Sequence, residues 1–503
     1  MWGGDFSVRF IGGGNQGYWA HCQCGNYQFA LGLISFPSLT TLRGNLIILA
    51  EHGNYDSSSF APLSVHFPNV TSVKGNVSVT SPCGSGTTNY CSFLTNSLRY
   101  MSVNLDSLAY VGASLSIDAA INITLNVLVN VNGALLLNAQ LSIALPLLSS
   151  VAGTLQLSCS KALNIPVLTY VSSSITLTML SSVAINIDAL TQIYGFLTVT
   201  GFSSLSMSTL TTVSGAVSLN SISGVVSMPS LNYVGGNLFV SGNSLAFDTL
   251  TTVQGSFFVT SLVRAPTMSA LSFILGSASF NVGTGVLNLD ALASIGGTLN
   301  LTGFNTTVNL PALTYMLNPA SIVLRGSFAV LSFPNITLVP GTVDVAQVTV
   351  LGALNFPNLA RIAGGIIMTF SAIGDLIIPN LIDINGAVTF THCTLFSSFR
   401  APSLSSIQGE LRIVNMSSLT TISLPVLTLI RSNMAVALAP KLYSINADSL
   451  ATVNGPFIQI CSNAVLDSSN VSLAIRNIAA VKLPSGSCNE VCYLSCNCLL
   501  YGC

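Results

Sequence analysis

Apolar positions recur along nearly the whole chain in one spacing, apolar-x-x-apolar-x-Gly-x-apolar. Clear copies are Leu39-Thr-Thr-Leu42-Arg-Gly44-Asn-Leu46, Leu148-Ser-Ser-Val151-Ala-Gly153-Thr-Leu155 and Leu404-Ser-Ser-Ile407-Gln-Gly409-Glu-Leu411. The glycine position falls at 44, 75, 113, 133, 153, 173, 195, 215, 236, 255, 276, 297, 318, 341, 364, 386, 409, 432 and 455, which makes 19 copies. Ala113, Ser173, Asn318 and Ser432 replace Gly in four of them. After residue 113 every interval is 19 to 23 residues, a period that belongs to a solenoid rather than to separate domains.

A second marker lies two residues before the first apolar position. It is Pro in eleven copies, among them Pro37, Pro68, Pro334, Pro357 and Pro379, and Asp in five, Asp106, Asp188, Asp248, Asp290 and Asp448. A slot that takes Pro or Asp is a corner, because Pro fixes φ and Asp bonds to nearby backbone N–H groups. The glycine marks another corner, where a Cβ would clash or φ must be positive. Between corners the residues alternate, as in Gly153-Thr-Leu155-Gln-Leu157-Ser, and period two predicts strands.

The pattern therefore predicts an all-β fold, a single elongated parallel β-solenoid of about 19 coils of about 20–23 residues, with cysteine-stapled ends. Parallel strands roughly 4.8 Å apart would make a rod about 90 Å long. Leu, Val and Ile are expected inside, with Ser, Thr and Asn outside, where stacked polar residues can bond along the ladder. The expected organisation is an N-terminal cap over 1–30, a solenoid over 31–460 with inserts at 50–62 and 80–103, and a cysteine-rich C-terminal cap or junction over 461–503.

Composition narrows the function. Half the residues are apolar but only 6% are charged, against about 25% in ordinary soluble proteins. Fourteen basic and 15 acidic residues give a net charge of −1, which argues against nucleic-acid binding through a basic face. Mean hydropathy is positive, yet no stretch of 18 or more residues is free of polar punctuation, so no membrane-spanning helix is expected. The opening MWGGDFSVRF lacks the basic start and apolar run of a signal peptide, as a processed chain or a fragment would, and no anchor is expected in the residues near Cys503.

Twelve cysteines crowd toward the ends. Cys22, Cys24, Cys83, Cys91, Cys461, Cys488, Cys492, Cys496, Cys498 and Cys503 are the disulfide candidates, while Cys159 and Cys393 stand alone. An even, end-loaded set suits an oxidising, extracellular or cell-surface location. The pair Cys496-Asn-Cys498 lacks the gap usual between zinc ligands, and no metal is expected.

The motif with its preceding Pro or Asp resembles the leucine-rich-repeat-like coils of receptor L domains, and similar repeats in fungal GPI-anchored cell-wall proteins. Phe356-Pro-Asn-Leu359-Ala-Arg-Ile362-Ala-Gly364 and Ile378-Pro-Asn-Leu381-Ile-Asp-Ile384-Asn-Gly386 carry the resemblance, which covers about residues 30–460. It implies the architecture and a cell-surface setting. It assigns no functional residue, because the matched positions are core and corner.

No catalytic site is expected. Polysaccharide-cleaving solenoids need clustered carboxylates, whereas here the acids are scattered and five of them hold corners. His21, His52, His66 and His392 pair with no nucleophile at a recognisable spacing. Gly12-Gly13-Gly14 lacks the Lys-Ser/Thr of a phosphate loop, and no cofactor is expected. An interrupted row of Thr after the first apolar residue, including Thr40, Thr71, Thr169 and Thr211, fits ice binding poorly. Eight Asn-x-Ser/Thr sequons make Asn69, Asn76, Asn122, Asn300, Asn305, Asn335, Asn415 and Asn470 the N-glycosylation candidates. Covalent glycans would keep so uncharged a surface soluble.

The expected function is that of an extracellular structural protein, a rod-like subunit that self-associates with copies or related subunits into a filament, cell wall or surface coat. The alternative is a cell-surface binding module recognising a protein or glycan. Aromatic residues gathered on one face of consecutive coils would favour the alternative.

Overall fold

In a computed structural model, residues 6–12, 18–22, 25–28, 33–51, 64–80, 101–221, 224–456, 458–461 and 463–482 are described. The chain divides into two compact units, Met1–Asp248 and Thr249–Cys503. Each is a parallel β-solenoid, and the expected repeat is present coil by coil.

The second apolar position of each motif is the second residue of a two-residue strand. Among the described residues such strands recur nine times in the first unit, from Thr41–Leu42 to Tyr233–Val234, and ten times in the second, from Thr252–Val253 to Thr452–Val453. They pair in parallel and in register, so Val131 faces Val151 and Ile362 faces Ile384. The second residue of each pair points inward and is buried. The other wall is built of longer strands, such as Leu135–Ala144 in the first unit. In the second unit, Leu299, Ile322 and Val343 align in consecutive strands of that wall.

The Pro/Asp corner is a hydrogen-bonded turn. In the first unit Val70 donates its N–H to the Phe67 carbonyl, and in the second Leu359 donates to that of Phe356, in each case across a Pro-Asn pair. Proline fits the second position of such a turn because its φ is already set and its nitrogen has no hydrogen to satisfy. Asp does have an N–H. At Asp188, Asp290 and Asp448 it donates to the Oδ1 of an Asn two residues earlier, Asn186, Asn288 and Asn446. Two residue types thus reach one corner by different routes.

The motif glycines resolve into one of the two expected explanations. Among the described residues, positive φ in glycines is found at Gly201, Gly285 and Gly326, none of them a motif glycine. Close approach decides instead. A Cβ on Gly215 would stand 2.7 Å from the carbonyl oxygen of Gly195, and one on Gly386 would stand 2.7 Å from the carbonyl carbon of Gly364. At these glycines the backbones of successive coils touch, and a methyl group has no room.

Within 1–30, strand Phe6–Gly12 lies parallel to Leu46–Glu51 and antiparallel to Tyr18–Cys22, which pairs in turn with Gly25–Gln28. Beyond the last rung, Ile458–Cys461, a 3-10 turn at Ser468–Asn470 leads to an α-helix, Leu473–Lys482, with Ile475 buried. The repeat spacing stops before this segment, and its Leu, Ala and Ile content suits a helix.

Candidate interaction surface

The outward columns divide into polar ladders and exposed apolar rows. The residue after the corner marker bonds to the marker's carbonyl one coil earlier. Asn69 Nδ2 donates to the Pro37 carbonyl at 2.6 Å, Asn335 to Pro311 at 2.7 Å, Asn358 to Pro334 at 2.9 Å and Asn380 to Pro357 at 2.8 Å. The row of Thr behaves alike. Thr71, Thr169, Thr211 and Thr428 hydroxyls donate to the carbonyls of Thr40, Ser149, Thr191 and Ser405 at 3.0–3.2 Å. These rows spend their donors on the neighbouring coil, so the Thr column is part of the scaffold and not a free array of hydroxyls.

A third ladder runs beside the glycine corner. Ser114 Oγ accepts the Ala134 N–H, and Ser174 Oγ accepts that of Phe196. In the second unit Ser256, Ser277 and Ser321 do the same for Ser277, Thr298 and Thr342. A short hydroxyl at this position caps a backbone donor that the turn leaves unpaired by other strands.

Apolar side chains are exposed on both walls, among them Phe239, Val286 and Phe304 on the long-strand side, and on the short-strand wall they fall into columns. In the first unit Tyr170 and Tyr194 are exposed by 42% and 51%, with ring centroids 6.1 Å apart in an edge-to-face arrangement. Phe196, two residues after Tyr194, is exposed by 47%, and Leu147 and Val167 are exposed in the slot after the corner proline. In the second unit the same columns expose Phe273, Leu275, Tyr315, Leu317 and Leu338. Phe273, Ser294 and Tyr315 face one another in register. The outward short-strand position holds no charged residue at all in the first unit, and Arg361 opposite Asp383 in the second. These aromatics do not stand out in the repeat spacing. The available signal was a large side chain in an outward slot that most coils fill with Ser, Thr or Asn.

The other wall carries a run of strained corners in the second unit. Gln347, Phe370, His392, Asn415 and Leu438 all adopt positive φ, between 49° and 58°, at intervals of 22 or 23 residues, and all are exposed. Left-handed backbone is uncommon in residues other than Gly and Asn, so its repetition marks a constraint of the coil and not of any one side chain. Phe370 and His392 stack with centroids 4.6 Å apart.

Among the described residues no three His, Cys, Asp or Glu side chains come together as a metal site. Asp375 lies on the long-strand wall and Asp383 on the short-strand wall. Asp188 Oδ1 accepts the Ser208 N–H and the Ser206 hydroxyl. Partial burial pushes this carboxyl up, but the hydrogen bonds outweigh it and hold the group below its ordinary range. Arg325 and Asp344, both part-buried, form a two-pronged ion pair across adjacent coils, with contacts of 2.6 and 3.2 Å. An apolar gap in the second unit, lined by Val345, Leu354, Phe356 and Met368, offers no polar contact for a ligand.

Cys159 and Cys393 are free and buried, and burial raises both thiols. Cys393 is buried while its neighbour His392 is exposed. Of the disulfide candidates, Cys22 and Cys461 have only their backbone described, in strands. Cys24, Cys83, Cys91, Cys488, Cys492, Cys496, Cys498 and Cys503 lie outside the described residues, as do almost all of the two inserts.

The sequons occupy unlike settings. Asn69 and Asn335 belong to the corner ladder. Asn76 belongs to the glycine-corner ladder, its Oδ1 accepting the Ser114 N–H at 3.0 Å. Asn122 is exposed on a strand and accepts the Ser142 hydroxyl. Asn300 has a buried Oδ1 with no hydrogen-bond partner. Asn305 and Asn415 are exposed at positive φ, and Asn470 ends the 3-10 turn. In comparisons with known proteins, no family model, curated protein or solved structure matches the chain.

Proposed function

We propose that the chain is an extracellular structural protein, a β-solenoid subunit that packs against copies of itself or related subunits into a filament, cell wall or surface coat. The observation that carries this is the short-strand wall, where aliphatic side chains such as Leu275, Leu317 and Leu338 stand exposed on a nearly chargeless, regular parallel sheet. Clustered exposed apolar residues mark interaction surfaces. With only 6% charged residues, little electrostatic repulsion opposes the approach of a second copy. The polar ladders on the same wall are already satisfied along the solenoid axis, which lowers the cost of desolvating them.

The test is electron microscopy of native, unreduced material, together with sedimentation of the Tyr170→Ser/Tyr194→Ser and Phe273→Ser/Tyr315→Ser variants. Ordered filaments or sheets, weakened by the substitutions, support the reading. Discrete single particles at all concentrations overturn it.

The second reading is a cell-surface binding module, in line with the resemblance to receptor L domains. The edge-to-face pair Tyr170–Tyr194 beside Phe196 favours it, since exposed aromatics on consecutive coils form a platform for a protein or sugar. Discrete particles that retain a ligand only while this pair is intact would establish it.

A further inference from the structure

The eight sequons separate by what their carboxamides already do. Asn69 and Asn335 each give an Nδ2 hydrogen to a proline carbonyl in the preceding coil. Asn358 and Asn380 make the same bond without being sequons, so the corner alone accounts for Asn at this slot. Asn76 is engaged at both ends, with Nδ2 3.3 Å from Asn45 Oδ1 and Oδ1 accepting from Ser114. Asn300 lies between the neighbouring strands at Ser279 and Val323, with its oxygen buried.

Asn305 and Asn415 differ from all of these. At Asn305 the register slips between Phe304 and Thr306, and the exposed Asn stands out of the ladder at φ 56°. Asn415 is exposed at φ 58° in a column whose other members are Gln347, Phe370, His392 and Leu438. The left-handed backbone therefore does not itself demand Asn at that point. Both lie on the long-strand side of the coil and away from the short-strand wall that exposes Tyr315 and Leu317.

We infer that Asn305 and Asn415 carry N-linked oligosaccharides, and that Asn76 and Asn300 are bare. In the transfer, Nδ2 attacks the anomeric carbon of an oligosaccharide held on a lipid pyrophosphate. The new C–N bond forms as the C–O bond to phosphate breaks, the lipid pyrophosphate leaves with the electron pair, and one Nδ2 proton passes to a base. The inference rests on the extracellular reading, because that donor belongs to the secretory pathway. A glycan on either residue projects away from the coil, whereas one on Asn76, though that residue is exposed, would disturb amide contacts to both neighbouring coils, and one on Asn300 would have to enter between strands where the side-chain oxygen is buried. Glycans so placed would also leave the apolar wall of the second unit uncovered for packing.

The full chain, secreted from a eukaryotic host behind an added signal peptide, is digested with an N-glycosidase in heavy-oxygen water and mapped by peptide mass spectrometry. Conversion at Asn305 and Asn415, with none at Asn76 and Asn300, is expected. Conversion at Asn76 or Asn300, or its absence at Asn305 and Asn415, overturns the assignment. The same map on native material separates the two questions. A bare native chain beside the expected host pattern would overturn glycosylation of these residues in nature and leave standing only the order in which the fold admits glycans.

Discussion

Asp188 Oδ1 accepts the backbone N–H of Ser208, one coil further on, at 2.7 Å, and so ties two corners of the first unit together. The same oxygen takes the Ser206 hydroxyl at 2.8 Å. A corner that Pro fills by fixing φ is here held by a charged acceptor.

Because these hydrogen bonds favour the ionised form, the Asp188 carboxyl titrates below its unfolded value. Its contribution to stability is present above the unfolded carboxylate range and is lost as pH falls through the lowered folded value. Asp188→Ala is expected to cost about 1 kcal/mol at neutral pH, the order of one exposed capping bond. Asp188→Asn is expected to keep part of that and to lose the pH dependence. Urea denaturation of the three proteins at neutral and strongly acidic pH checks this, and a wild-type advantage that does not shrink on acidification would contradict it.

Gly386→Ala is expected to be costly although the substitution is small and would be favourable at many glycines. The added methyl carbon would stand 2.7 Å from Gly364 backbone atoms, so the two coils must separate. Overpacking of this kind costs about 1–3 kcal/mol. Ala at position 113, where the motif already tolerates it, provides the control: Ala113→Gly should change stability by much less. Thermal unfolding of the two variants measures the contrast.

The coil was legible because one 19–23-residue spacing repeats with corner residues whose chemistry is local. Leu42, Val131 and Ile407 could be placed in the core from the motif alone, and all are fully buried. The candidate surface was less legible. Tyr170 and Tyr194 sit in different columns of the motif, and only coil stacking brings their rings together. The column of left-handed corners from Gln347 to Leu438 was invisible for another reason. It holds five different residue types, so no composition signal marks a conformation that the coil geometry imposes. The helix Leu473–Lys482 follows the last repeat, where the period that organised the reading no longer applies.

Cys159 and Cys393 are expected to stay unmodified in the folded protein. Burial disfavours the thiolate at both, and the thiolate is the form that reacts. Cys393 Sγ faces the carbonyls of Met368 and Thr391 at 3.6 Å, and Cys159 Sγ lies 3.7 Å from Met179 Sδ. Mass spectrometry after iodoacetamide treatment should find both carbamidomethylated only when denaturant is present. Rapid labelling under native conditions would mean that these coils open far more readily than their packing implies.

Phe333 and Phe356 stack in the core of the second unit with ring centroids 4.7 Å apart and planes 7° from parallel. Each precedes a corner proline, so the stack anchors two successive turns. Phe356→Ala removes one ring and leaves a cavity between coils, at a cost of about 3–5 kcal/mol. In a solenoid each coil leans chiefly on its neighbours, so the damage should stay local and not lower stability evenly. Hydrogen exchange read by mass spectrometry should show faster exchange over the coils at 322–384, with protection over 101–221 unchanged. A uniform loss of protection in both segments would show instead that the units unfold together, and that the stack contributes to one global transition.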